Sequence, residues 1–288
     1  MEVYFTPYKV STITCNVDLG INIDLIIFYE NFSIGDSSKF IWIHYPKITE
    51  GENKRGIYPK KKRNVKTTTK KTSFDNQVTV LYKMDNYPNL KIFKNGNIQI
   101  TGVKNKDDVN EIVRQIVEEI KRIYIINPKI TTTEDYESKI GFNNFHIRMI
   151  NTDFKSYCNP EYTDKFIIRR KVLHKILISD DYNNKCSFEP GKYHGVKLEF
   201  FWNKNKSFQD GICSCITNCF GKGSGNGEKD CKKITIAIFE SGSVLITGGV
   251  SFEQINEAYN YITSIFKKHS VELKKADLSL LESHQNLQ

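Results

Sequence analysis

Along this chain, short runs of alternating apolar and polar residues give way to stretches in which apolar residues recur at spacings of three and four. Alternation predicts strands over 10–19, 40–45, 74–83, 90–94 and 97–102, and the three-four spacing predicts helices over 22–32 and 106–124. Asp107 and Asp108 open the second helix and Lys121 and Arg122 close it, as the helix dipole favours. The plan then returns: strand 145–151, helix 161–178, strand 195–202, a hairpin over 233–248 and a helix over 252–268. The tail from 270 to 288 is polar and is expected to fray.

The return is a repeat in sequence as well. Residues 92–102 read Ile-Phe-Lys-Asn-Gly-Asn-Ile-Gln-Ile-Thr-Gly and residues 238–248 read Ile-Phe-Glu-Ser-Gly-Ser-Val-Leu-Ile-Thr-Gly, with six of eleven positions identical at an offset of 146. The offset continues into the next helix, where Val109, Ile112, Val113, Ile116 and Ile120 correspond to Ile255, Ala258, Tyr259, Ile262 and Phe266. Solenoid units run to about 20–50 residues, so a period this long fits two duplicated half-domains about a pseudo-two-fold axis. The expected division is a first half-repeat over 1–125, a connector over 126–142, a second half-repeat over 143–269 and a flexible tail. A basic insertion at 47–73 interrupts the first repeat, and a Cys/Gly-rich insertion at 203–232 interrupts the second.

The duplicated Ile-Phe-x-x-Gly-x-x-x-x-Thr-Gly resembles the TATA-box-binding protein family. So do Val17-Asp18-Leu19-Gly20 with Asp24-Leu25, and Ser187-Phe188-Glu189-Pro190 followed by Tyr193 and Gly195. The two insertions, with Phe74-Asp75-Asn76-Gln77-Val78-Thr79-Val80 ahead of Lys91-Ile92-Phe93, look most like the TATA-box-binding-like proteins of large nucleocytoplasmic DNA viruses. The resemblance implies an α+β saddle: two pseudo-symmetric halves forming a curved antiparallel sheet with helices on the convex face. It also implies a monomer that binds and bends A·T-rich promoter double-stranded DNA through the minor groove. General initiation factors or RNA polymerase would dock on the helices.

Carried over residue by residue, the family's aromatic wedges fall on Phe74 and Phe93 in the first half and on Tyr193 and Phe239 in the second. Thr101 and Thr247 match threonines that face the groove, with Gln99 and Leu245 two residues earlier on the same strand face. An ordinary core aromatic or a cross-strand threonine is the plainer reading of any one of these. Where the family has an asparagine near the start of each half's first strand, Thr12 and Ile147 stand instead, and Asn16 and Asn151 are the nearest polar candidates. Gln99 and Lys91 also replace expected apolar residues. These departures support a rival from another class, an interaction platform of the same fold that does not bind DNA. A base-excision glycosylase with a related fold is a further rival, but no helix-hairpin-helix with a nearby lysine and aspartate is visible.

Composition agrees with an anionic partner. Lys and Arg number 42 against 33 Asp and Glu, for a formal net charge of +9; a basic surface releases counterions when it meets phosphate. A merely soluble basic protein would look the same by charge alone. No run of about 18 apolar residues and no secretory leader is present, so the expected location is intracellular, in a host nucleus or a cytoplasmic virus factory. Lys60, Lys61, Lys62 and Arg63 form a basic run open to three readings: a phosphate-contacting arm, a nuclear-localisation signal or a solvated linker.

Seven cysteines in a chain without a leader do not read as a secreted disulfide framework. Four of them, Cys213, Cys215, Cys219 and Cys231, fall within 19 residues around a glycine run. They are read either as a structural zinc site or as reduced free thiols. The glycine run is no phosphate loop, because a strand and not a helix follows it. The six histidines show no paired metalloprotease spacing, and no catalytic constellation emerges, so no enzyme is expected.

Overall fold

The computed structural model describes residues 1–35, 38–48, 52–59, 76–216 and 219–275. Its strands in chain order are β1 (Tyr4–Phe5), β2 (Lys9–Asp18), β3 (Phe40–His44), β4 (Lys54–Gly56), β5 (Gln77–Tyr82), β6 (Asn89–Phe93), β7 (Asn97–Val103), β8 (Asn143–Tyr157), β9 (Lys185–Ser187), β10 (Val196–Trp202), β11 (Lys232–Ile238) and β12 (Ser243–Gly249). Its helices are α1 (Leu25–Asn31), α2 (Lys106–Ile126), α3 (Tyr136–Lys139), α4 (Arg170–Ile178), α5 (Phe252–Lys268) and α6 (Ser270–Leu273), with a 3-10 turn at Pro128–Ile130. The chain divides into two compact units. The first is Thr12–Arg148; the second combines Met1–Ser11 with the chain from Met149 onward.

In the first unit the strands run in the order β4-β3-β5-β6-β7-β2, with antiparallel pairing throughout. Period-two alternation decides which face is core. Val78, Val80, Tyr82, Leu90, Ile92, Ile98 and Ile100 are fully buried. Val109, Ile112, Ile116 and Ile120 of α2 turn inward and are buried to the same degree. The second unit follows the same rule in the order β8-β12-β11-β10-β9, with β1 paired to β8. Leu198, Phe200, Ile234, Ile236, Val244 and Ile246 are buried with Ile255, Ala258, Ile262 and Phe266 of α5.

The offset of 146 also holds at the level of single hydrogen bonds. Gly96 and Gly242 close equivalent turns by donating to the carbonyls of Phe93 (3.0 Å) and Phe239 (3.1 Å). Both glycines adopt left-handed φ, 81° and 79°, and a Cβ at Gly96 would lie 1.9 Å from the Ile21 carbonyl oxygen; glycine is the residue that tolerates both constraints. Asn105 and Ser251 then cap α2 and α5, each side chain accepting from the backbone N–H three residues on. The fold class is therefore α+β, built from two copies of one plan.

Several boundaries differ from the sequence expectation. Residues 1–11, assigned to the first repeat, belong to the second unit. There the Tyr259 hydroxyl donates to the Thr6 carbonyl at 3.1 Å. The connector 126–142 packs into the first unit, with Ile130 buried and its carbonyl accepting from Asp24 N–H at 2.7 Å. The first predicted helix starts late, at Leu25, because the Asp24 carboxylate accepts from the N–H groups of Ile26 and Ile27 and fixes the cap there. Residues 161–169 are not helical: Phe166 and Ile168 are fully buried and donate to the carbonyls of Ser156 and Glu240, as extended chain does. β4 appears within the expected basic loop, and β9 was not anticipated. Ser270 and Leu273, at the head of the expected tail, are buried. Phe74 and the run Lys60, Lys61, Lys62 and Arg63 lie outside the described residues.

Candidate nucleic-acid interface

The core helices pack on one face of each sheet, and the opposite face is mostly polar, with Phe93, Leu245 and Ala237 among its apolar members. In the first unit cross-strand pairing lines up Asn16, Gln99, Lys91, Thr79 and His44 across five strands. Beside that row lie Thr14, Thr101 and Asn89. Thr101 is exposed and Gln99 half-buried, so both present side chains on the face opposite the core. Phe93 is half-buried on the same face, across from Gln77. Lys91 and Gln99, departures when read one at a time, are neighbours that place hydrogen-bond donors at the middle of the face.

The second unit places Asn151, Thr247, Thr235, Glu199 and Lys185 in one row and Asp153, Leu245, Ala237, Lys197 and Ser187 in the next. At the far end the Tyr193 and Phe239 rings pack at 5.8 Å between centroids, and the Lys197 ammonium sits 5.0 Å from the Tyr193 ring centre. Tyr193 is 37% exposed and Phe239 half-buried, unlike the fully buried aromatics of the core. Gly195 lies beneath them, and a Cβ there would fall 2.8 Å from the Tyr193 ring. Two aromatics predicted from distant sequence positions are thus brought together at one sheet end.

One residue that holds this pair was not anticipated. The Arg170 guanidinium donates to the His194 carbonyl, pairs with Glu240 at 2.5 Å and lies 5.3 Å from the Phe188 ring centre. It thereby ties the loop carrying Tyr193 to the turn that follows Phe239. Lys275 pairs with the other Glu240 oxygen at 2.7 Å, and Lys275 and Arg170 together hold that carboxyl below the usual carboxylate range. Sequence reasoning had no means of finding it, since Arg170 and Glu240 are 70 residues apart.

The two candidate asparagines are not equivalent positions. Asn151 stands opposite Thr247, whereas Asn16 stands opposite Gln99 and Thr14 opposite Thr101. Register irregularities lie at Ile13/Thr14 and at Thr247/Gly249, at the ends of these pairings. Thr14 therefore corresponds to Asn151, and Asn16 to Asp153, two residues from the equivalence the motifs implied. Asn16 and Asn151 do share one property: each has a buried Oδ1 with no hydrogen-bond partner. A buried amide oxygen left unpaired is unfavourable by about 1–3 kcal/mol and calls for a donor. Asp153 instead accepts from the Ser11 hydroxyl at 2.5 Å. Glu199 pairs with Lys185 and Lys233; burial raises its pKa, but the two ammonium groups outweigh burial and hold it low.

The four clustered cysteines also converge. Their sulfurs all lie within 4.8 Å of one another, with Cys213–Cys219 and Cys215–Cys231 at 3.3 Å and Cys213–Cys231 at 3.8 Å. Burial pushes the Cys215 thiol up to about 12, while the Gly221 N–H and the three neighbouring thiols overcome burial to hold Cys219 at about 7. Such a cluster could hold a metal ion.

Comparison with known proteins points to one family. A profile of the family described as transcription factor TFIID (or TATA-binding protein, TBP) matches residues 61–123 and 227–269. The protein is 31% identical over 290 aligned residues to a "TATA-box-binding protein-like" protein of Acanthamoeba polyphaga mimivirus, an alignment covering 97% of this chain and 69% of that one. Among solved structures, Methanococcus jannaschii TBP aligns with 91% of this chain and 99% of its own, at 15% identity and a TM-score of 0.48. Among the described residues no helix is long and apolar enough to cross a membrane.

Proposed function

The chain belongs to the TATA-box-binding protein family, whose members are transcription factors and not enzymes, and we propose that it binds and bends A·T-rich promoter DNA by seating the minor groove on its open sheet faces. The observation that carries this proposal is the pairing of one helix-free polar face per unit with a partly exposed aromatic at the same turn, Phe93 in one and Phe239 in the other. Wedging aromatics between base steps is an established property of TATA-box-binding proteins, and unstacking costs a few kcal/mol per step. Phe93, Phe239 and Tyr193, with Phe74, are the residues we assign to it. Asn16, Asn151, Gln99, Thr101 and Thr247 would meet the groove floor, where A·T pairs offer only acceptors; the amides can donate to them, as can Lys91. Leu245 supplies apolar contact in the same seat.

In this role the protein would help recruit initiation factors or RNA polymerase through its helices, as a monomer inside an infected cell. The basic run Lys60 to Arg63 would contact phosphates beyond the seat. Neutralising all four residues should weaken binding to every duplex alike and flatten the slope of log affinity against log salt by about 0.9 per lost contact. An unchanged slope would leave the run as an import signal or linker. For the cysteine cluster we propose zinc, the ion that a tetrahedral set of four thiolates suits.

The alternative, an interaction platform that has lost DNA binding, is favoured by one observation: Asp153 places a carboxylate on the same face as Leu245 and Thr247. Fluorescence-polarisation titrations with A·T-rich and G·C-rich duplexes at two salt concentrations separate the two. Minor-groove seating predicts at least tenfold tighter binding of the A·T-rich duplex and weakening of both by salt. Absence of binding to either duplex would favour the platform.

A further inference from the structure

Among the described residues of the 203–232 insertion no large apolar side chain is buried: Ile212 is half-buried, and Phe208, Ile216 and Phe220 are 74%, 87% and 63% exposed. Among its described residues the buried positions are Asn203, Gly211, Gly221, Gly225 and Cys231. A segment that buries glycines and exposes its hydrophobic side chains gains little from burial to offset the entropy of ordering it. Its glycines are nevertheless held in place. A Cβ at Gly225 would lie 2.3 Å from the Trp202 ring, and one at Gly221 2.4 Å from the Lys233 side chain.

The fastening is visible in how the four sulfurs are distributed. Cys213, Cys215 and Cys219 come from the irregular part of the insertion; Cys231 immediately precedes β11 and is fully buried. Around it, Gly223 N–H donates to the Cys231 carbonyl at 3.2 Å and Lys233 N–H to the Gly221 carbonyl at 2.8 Å, so residues 221–223 form a short antiparallel pairing with the start of β11. The Asn203 side-chain amide lies 3.7 Å from the Cys231 sulfur and also donates to the Gly227 carbonyl at 2.7 Å. Four sulfurs about 2.3 Å from one zinc ion in a tetrahedron would stand about 3.8 Å apart. Three of the six separations are 3.3, 3.3 and 3.8 Å, and all six lie within 4.8 Å, close to that edge.

We propose that Cys213, Cys215, Cys219 and Cys231 bind one zinc ion that staples the insertion to the start of β11, taking the place of the core it lacks. This extends the zinc assignment above from occupancy to role, and it is independent of DNA binding. Lys233 and Thr235 lie on the helix-free side of β11, and Cys231, one residue before the strand, meets Asn203. The staple thus closes one end of the second unit's open face, opposite the end that carries Tyr193 and Phe239.

The test uses the full chain and no nucleic acid. Protein prepared without chelator should contain about one zinc per chain by elemental analysis. Exchange with cobalt(II) should give the strong visible bands and near-ultraviolet sulfur-to-metal charge transfer of a tetrahedral four-thiolate site. Cys215→Ser with Cys219→Ser should lose the metal and speed proteolysis within 203–232 by more than tenfold, with the main thermal transition little changed. Should that variant fold poorly, stripping zinc from the wild type with a strong chelator should produce the same protease sensitivity, and added zinc should reverse it. No stoichiometric metal, a six-coordinate cobalt spectrum, or metal loss without any gain in protease sensitivity of the insertion would each overturn the proposal.

Discussion

Replacing both Tyr193 and Phe239 by alanine should abolish bending of an A·T-rich duplex and weaken its binding by one to two orders of magnitude, while the protein stays folded. Stacking of an aromatic side chain on a base contributes about 1–3 kcal/mol by alanine substitution, which is roughly tenfold or more in affinity for each ring. The fold should survive because both rings lie at the open end of the sheet, packed on each other and under Lys197 and not within the core. Phe93→Ala should give the same result in the first unit. Bend angle is read by energy transfer between the duplex ends, and folding by thermal denaturation. If the variants unfold while their soluble fraction bends DNA normally, the rings are core residues and their assignment as wedges is wrong.

Neighbouring residues on the two faces of a strand should respond in opposite ways. Ile246→Ala and Ile100→Ala remove fully buried side chains and should cost about 2–5 kcal/mol of stability each, with DNA affinity per folded molecule unchanged. Leu245→Ala and Gln99→Ala, one residue away on the open face, should leave the denaturation midpoint nearly unchanged and weaken DNA binding instead. Chemical denaturation and binding titration of the four variants check this together. Equal stability losses on both faces would mean that the open face is packed and unavailable to a ligand.

What was legible in the sequence follows from periodicity. The hairpins ending at Thr101 and Thr247 were readable because alternation and a glycine turn are both local, and because each occurs twice. The stretch 161–169 is expected as helix but is extended chain, and the hydrogen bonds to Ser156 and Glu240 that settle it are long-range. Register was not legible either. Which residue of β2 or β8 stands opposite each Thr depends on strand pairing, so the correspondence of Asn151 with Thr14 appears only in three dimensions. The cysteine cluster lay between. Spacing nominated the four residues, but only the fold brings Cys231 to the other three.

If the open faces take up the minor groove of A·T-rich DNA and bend it, a small molecule that fills that groove should compete with the protein. The most direct test is the bend of an end-labelled A·T-rich duplex with and without a small ligand that occupies the minor groove. Minor-groove seating requires a protein-dependent bend that the ligand abolishes and that a G·C-rich duplex does not show; binding that leaves the duplex straight, or a bend insensitive to the ligand, would rule it out.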